Sequence, residues 1–167
     1  MNKYILLTCT MLVIIIVACA PALTPAPTAP PPTSVPAATT APSKEALQIL
    51  EKWTKAFTDS DVDGIVKLYA PDALFLGTGS KTVVTKPEEI RTYFEEALLT
   101  NRPRGAKVVS QSVMVLSDTV VVVTGLDTVT GVRNGTPTSA NGRFTFVLAK
   151  RGSDWQIVHF HRSAMPN

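Results

Sequence analysis

Residues 20–43 hold eight prolines, seven alanines and five threonines, with no charged and no aromatic side chain. That block divides the chain: such a composition cannot bury a core, and its prolines favour extended polyproline II backbone. All 13 acidic residues and 15 of the 16 basic ones lie beyond it. A folded domain is therefore expected in 44–167, whose 124 residues can bury a sizeable core. The full length of 167 residues leaves no room for a two-domain enzyme. The block reads as a tether, reaching roughly 75 Å at ~3.1 Å per residue.

Ahead of the tether, Lys3 precedes an apolar run from Ile5 to Ala18. Fourteen residues are short for a membrane span, which needs roughly 20, but suit the apolar region of an export signal. The run ends in Ile16-Val17-Ala18-Cys19, which resembles the bacterial lipobox. That resemblance implies a lipoprotein signal peptide over 1–18, cleavage before Cys19, and a diacylglycerol on the Cys19 sulfur. The expected place is the extracytoplasmic face of a bacterial cell envelope, held by the lipid anchor. Cys9 would be removed and Cys19 acylated, so the domain would hold neither a disulfide nor a thiolate metal site.

Within the domain, Leu47, Leu50, Trp53 or Thr54, and Phe57 recur at helical spacing, predicting a helix from Lys44 to about Thr58 with Ser43 as N-cap. Ser60 and Asp63 read as a capping box for a short second helix, and Thr85 and Glu88 as one for a third. Between the last two, Ala73–Gly77 reads as a strand and Thr82–Thr85 as its return. After Arg102-Pro103-Arg104-Gly105 the period becomes that of strands: 106–116, 119–130, 138–150 and 155–162. Asn134-Gly135 marks a two-residue hairpin, and Gly152-Ser153-Asp154 a three-residue loop. Helices first and a long meander afterwards predict an α+β fold, with three helices packed on a curved antiparallel sheet. The valine run 120–123 suggests a buried interface, but strand propensity alone explains it.

Charges are mixed rather than blocked, 15 basic against 13 acidic in the domain, which gives no footprint for nucleic acid. Asp59-Ser60-Asp61-Val62-Asp63-Gly64 imitates the start of a calcium loop, but Ala70 stands where the bidentate glutamate is required. His159 and His161 share one strand face, yet a zinc site wants three or four ligands, and Asp154 and Asp127 have no supporting spacing. No metal and no cofactor is expected. The opposite face of that strand presents Val158, Phe160 and Arg162, beside Phe144, Phe146 and Leu148 of the strand before. Together with Trp53 of the first helix, Phe144, Phe146, Phe160 and Arg162 form the candidate ligand site: an apolar wall with one guanidinium at its edge. The competing reading is an ordinary core with Arg162 salt-bridged at the rim, for instance to Asp72 or a helix glutamate.

Trp155-Gln-Ile-Val-His-Phe-His-Arg162-Ser163, with Ala164-Met165-Pro166 after it, resembles the end of the association (hub) domain of calcium/calmodulin-dependent protein kinase II. Leu68-Tyr69-Ala70-Pro71-Asp72 and Tyr93-Phe94-Glu95 carry the likeness further back. The resemblance implies a nuclear transport factor 2-like cone over 44–167, in a superfamily that is usually dimeric or larger. The hub's cavity arginine of the terminal strand matches Arg162; its partner arginine falls near Phe146 and its histidine near Ile90. No Gly-rich loop or catalytic-loop motif is present, so kinase activity does not carry over, and neither does calmodulin binding. The expected function is a lipid-anchored, homo-oligomeric domain that binds a small apolar or weakly anionic ligand. The alternative is a cofactor-free acid–base enzyme of the isomerase, cyclase or hydrolase type, using Asp72, Tyr69 or a histidine.

Overall fold

The computed structural model describes residues 41–166; the signal-like segment, Cys19 and the tether as far as residue 40 lie outside that range. Helix α1 (Ala41–Asp59) buries Ala46, Ile49, Leu50, Trp53, Ala56 and Phe57 along one stripe. It starts three residues before the expected Lys44, because Pro42 fits a first helical turn, where no backbone N–H is needed. Ser43 is consequently buried inside the helix rather than capping it. Ser60 then takes a φ of 55° and leaves the cap of α2 (Val62–Val66) to Asp61, whose carboxylate accepts from the Gly64 N–H at 2.8 Å. Helix α3 (Pro87–Leu99) opens on a proline after Lys86 with no side-chain cap, so the expected Thr85–Glu88 box does not form.

Five strands follow or interleave: β1 (Tyr69–Leu76), β2 (Gly105–Ser117), β3 (Val120–Arg133), β4 (Thr136–Arg151) and β5 (Asp154–Ala164). They form one sheet in the order β1-β5-β4-β3-β2. The four-stranded meander is antiparallel as expected, and β1 joins it parallel to β5. The expected return strand at 82–85 shrinks to one bridge, Phe75 to Val84, since its neighbours Thr82, Val83 and Thr85 are exposed and bury nothing.

Turn chemistry sets the register. Asn134 (φ 49°) and Gly135 (φ 77°) are both left-handed, as a two-residue hairpin requires. At the β4–β5 corner Arg151 pairs with Asp154, so the loop is two residues, Gly152 and Ser153, not three. The missing residue reappears as a bulge at Val158: Leu148 opposes Ile157, but Val147 opposes His159. Beyond the bulge Phe146 faces Phe160 and Phe144 faces Arg162, as the longer loop would have arranged. Val158, expected in the apolar wall, is only partly buried, and Ile157 and Trp155 are buried instead.

The inner face of the sheet and the helices share one core, built on the cross-strand row Phe75, Phe160, Phe146, Val123 and Val113.

Candidate functional site

Trp53 stands at the centre of the inner face. Its ring lies 5.2 Å from Phe57, 5.5 Å from Phe146, 5.5 Å from Phe160 and 6.3 Å from Phe94, centroid to centroid. Offset and edge-on aromatic pairs of this kind each add about 0.5–1.5 kcal/mol beyond area burial. The indole N–H donates to the Tyr69 hydroxyl at 2.9 Å. Burial pushes the Tyr69 phenol far above its ordinary pKa, partly opposed by that hydrogen bond, so it stays protonated.

Arg162 enters this apolar setting as a buried cation, and the structure supplies its counter-charge from β3. Arg162 Nε donates to Asp127 Oδ2 at 2.9 Å and Oδ1 at 3.1 Å, and Nη2 donates to Oδ1 at 2.8 Å. Nη2 also reaches the Ala140 carbonyl at 3.2 Å, and Nη1 the Thr78 hydroxyl at 2.8 Å. The two side chains are only 10% and 7% exposed, so this is an internal pair and not a rim contact. Asp72, one of the rim partners the sequence offered, bonds Arg151 at 3.1 Å on the surface instead. Asp127 sits on β3 and Arg162 on β5, with β4 between them, so the pair must cross a strand. Gly142 makes the crossing possible: it is the register partner of Asp127, and a Cβ there would overlap the guanidinium.

All five predicted ligand residues therefore converge. Trp53, Phe144, Phe146 and Phe160, with Asp127, line a crevice of about 10 Å³, close to the room one water needs. Arg162 lies behind it, neutralised by Asp127. The crevice shares Leu50, Thr54, Ala106 and Val108 with a groove of about 450 Å³ between α1 and β2, whose other walls are Leu47, Glu51, Val109, Ser110 and Gln111. That volume is within the range of small-molecule sites.

Sequence reasoning missed Asp127 as Arg162's partner, along with Gly142 and Arg104. The signals were present. Asp127 is the only charge between Thr119 and Val132, and an acid inside a buried strand must find a cation. An isolated glycine within a strand marks close approach. Arg104 lies over the Phe57 ring at 5.2 Å with its Nε buried and no acceptor, and burial lowers its pKa.

The groups considered for acid–base chemistry do not meet. His159 and His161 oppose Val147 and Thr145 on the outer face of the sheet, Asp72 is on the surface, and Tyr69 is in the core. Burial, then His161, holds the His159 imidazole below the usual histidine pKa. In the stretch that imitates a calcium loop, Asp59 pairs with Lys55, Asp61 caps α2 and Asp63 accepts from Arg91 at 2.7 Å. Among the described residues no three potential metal ligands gather.

The family profile of the calcium/calmodulin dependent protein kinase II association domain matches residues 42–166. Among solved structures, the chain is similar to one described as such an association domain from Xanthomonas campestris, at 32% identity and TM-score 0.69, over 75% of this chain and 89% of that one. A nuclear transport factor 2-like superfamily protein from Salmonella enterica superposes with TM-score 0.70 at 20% identity, over 78% and 95% of the two chains. A ketosteroid isomerase-like protein from Erwinia carotovora gives 0.65 at 17%, over 74% and 96%. The last two likenesses concern the fold alone. No curated protein matches the sequence.

Proposed function

Residues 42–166 belong to the calcium/calmodulin-dependent protein kinase II association-domain family, and from that premise we propose a self-assembling, ligand-binding domain displayed outside the cytoplasm on a lipid anchor. Family membership supports self-assembly. The lipobox-like Ile16–Cys19 and the uncharged tether support display at the envelope surface. Ligand binding rests on one observation: a groove of about 450 Å³ that shares Leu50, Thr54, Ala106 and Val108 with the crevice lined by Trp53, Phe144, Phe146 and Phe160.

The ligand class follows from the electrostatics. Arg162 is bonded to Asp127 and carries no free charge into the crevice, so an apolar, uncharged molecule fits this interior better than an anion. Binding is preferred over acid–base catalysis because neither histidine nor Asp72 reaches the crevice. Neither kinase activity nor calmodulin binding is part of the proposal.

Native mass spectrometry of the full chain released from detergent tests both halves. Oligomers carrying a small organic molecule are expected. A ligand-free monomer at micromolar concentration would overturn the reading. Palmitate labelling that persists in Cys19→Ser would remove the anchor.

A further inference from the structure

The groove between α1 and β2 owes its far wall to two departures from regular strand. The ladder of β2 with β3 shifts at Val109, which is left without a register partner. Gly125 opposes Gln111 just beyond, and a Cβ there would meet the Ser110 carbonyl oxygen and come within 2.9 Å of Phe144 Cζ. A bulge and a strand glycine together let β2 bend. As a result Val108, Val109, Ser110 and Gln111 all border the groove, where a regular strand would present only alternate residues. Leu47, Leu50 and Val108 supply apolar surface, while the Ser110 hydroxyl and the Gln111 amide oxygen are acceptors. Glu51 is the only charged side chain in the lining, and it is exposed. No basic side chain among the described residues pairs with it. Lys55, one turn further along α1, is bonded to Asp59; Lys52 borders another cleft, with Lys67 and Lys150; Lys107 borders the crevice but not the groove.

We propose that the groove takes a small amine, with its apolar body against Leu47, Leu50 and Val108 and its ammonium at the Glu51 carboxylate. The inference rests on the ligand-binding reading above and names the polar end of that ligand. A carboxylate without a counter-ion beside apolar surface selects by charge: it attracts an ammonium, leaves a hydroxyl indifferent and repels a second carboxylate. An ammonium brings three N–H donors and no acceptor, which suits a rim of acceptors. The crevice, at about 10 Å³, has no room for a solvated head group, so the charged end stays in the groove and only apolar groups turn inward. Because Glu51 is exposed, its contribution is that of a solvated ion pair, up to about fivefold in affinity.

The test is isothermal titration of the full chain in phosphatidylcholine vesicles at neutral pH, with protein-free vesicles as the blank. Hexylamine, hexanol and hexanoate are the probes, which share one tail and differ in the charge of the head. Hexylamine is expected to bind about fivefold tighter than hexanol, and hexanoate more weakly than either. Glu51→Gln should bring hexylamine down to the affinity of hexanol, and Glu51→Lys should put hexanoate ahead of hexylamine. Both variants should leave the melting temperature within a degree or two, since the side chain is exposed. Salt at about 1 M should narrow the wild-type preference. If hexylamine and hexanol bind wild type alike, or the preference for the amine survives in Glu51→Gln, Glu51 does not read the ligand and this inference falls while the groove stands. Tightest binding of hexanoate to wild type would give the ligand the opposite charge and overturn it as well. Binding of none of the three would remove the ligand-binding reading and this inference together.

Discussion

The two faces of the sheet are made from alternate residues of the same strands, one position apart, and they differ in what each substitution would disturb. On the inner face Phe146 is 2% exposed and Val123 fully buried beneath α1. One residue along, Val147 and Val122 are only partly buried. On the inner face Arg162 and Asp127 form a closed, buried pair, reached across Gly142. On the outer face single charges such as Lys107 and Arg143 stand exposed, outside the two rows that cross it at His159 and His161. One chemical alternation thus specifies both a core and a largely exposed outer surface.

The sharpest way to break this contrast is to leave one buried charge alone. Asp127→Ala strands the Arg162 guanidinium and should lower stability by about 3–5 kcal/mol, read by chemical denaturation. The double variant Asp127→Leu/Arg162→Met should recover most of that loss. If it does not, the pair has a role beyond mutual neutralisation.

A smaller effect is expected from geometry alone. Gly142→Ala would set a Cβ 2.9 Å from Asp127 Oδ1 and into the guanidinium, costing about 1–3 kcal/mol. Asn141→Ala, beside it on the outer face, should stay within about 0.5 kcal/mol in the same measurement. Equal losses would mean that the two faces are not distinguished at this level.

On the exposed rim of the outer face, Met114→Ser should change the melting temperature by no more than a degree or two.

The smallest expected effect is a pH dependence. His159 is held below the ordinary histidine pKa by burial and then by His161; no other charged group stands in the two outer rows around it. The unfolded chain therefore takes up the proton first. Stability is full above about 6.5, the unperturbed value, and declines as pH falls through it. Melting curves at pH 7.5 and 5.5 should differ less in His159→Gln than in wild type.

Much of this was legible along the chain because it depends on neighbours. Alternation placed Phe144 and Phe146 on one face and the histidines opposite Phe160, and Asn134-Gly135 marked its hairpin. The helix starts were less legible. Ser60 and Thr85 have the right chemistry for caps, but Asp61 and Pro87 stand closer to where packing begins α2 and α3. The β4–β5 register was reached from an assumed three-residue loop, whereas the chain uses a two-residue turn and a bulge at Val158. Those two solutions give the same facing pairs at Phe146 and Phe144, and a sequence pattern cannot separate them.

By itself the sequence determined where the uncharged proline-rich block gives way to charged residues, the periods of the elements, the apolar wall and the hub-like terminal strand, all consequences of composition and local spacing. Only the tertiary structure decided that β1 runs parallel beside β5, that Arg162 bonds Asp127 rather than Asp72, and that the aromatic wall closes to a narrow crevice. Each of those joins residues far apart in the chain, where the outcome depends on which side chains remain unsatisfied once the others have packed.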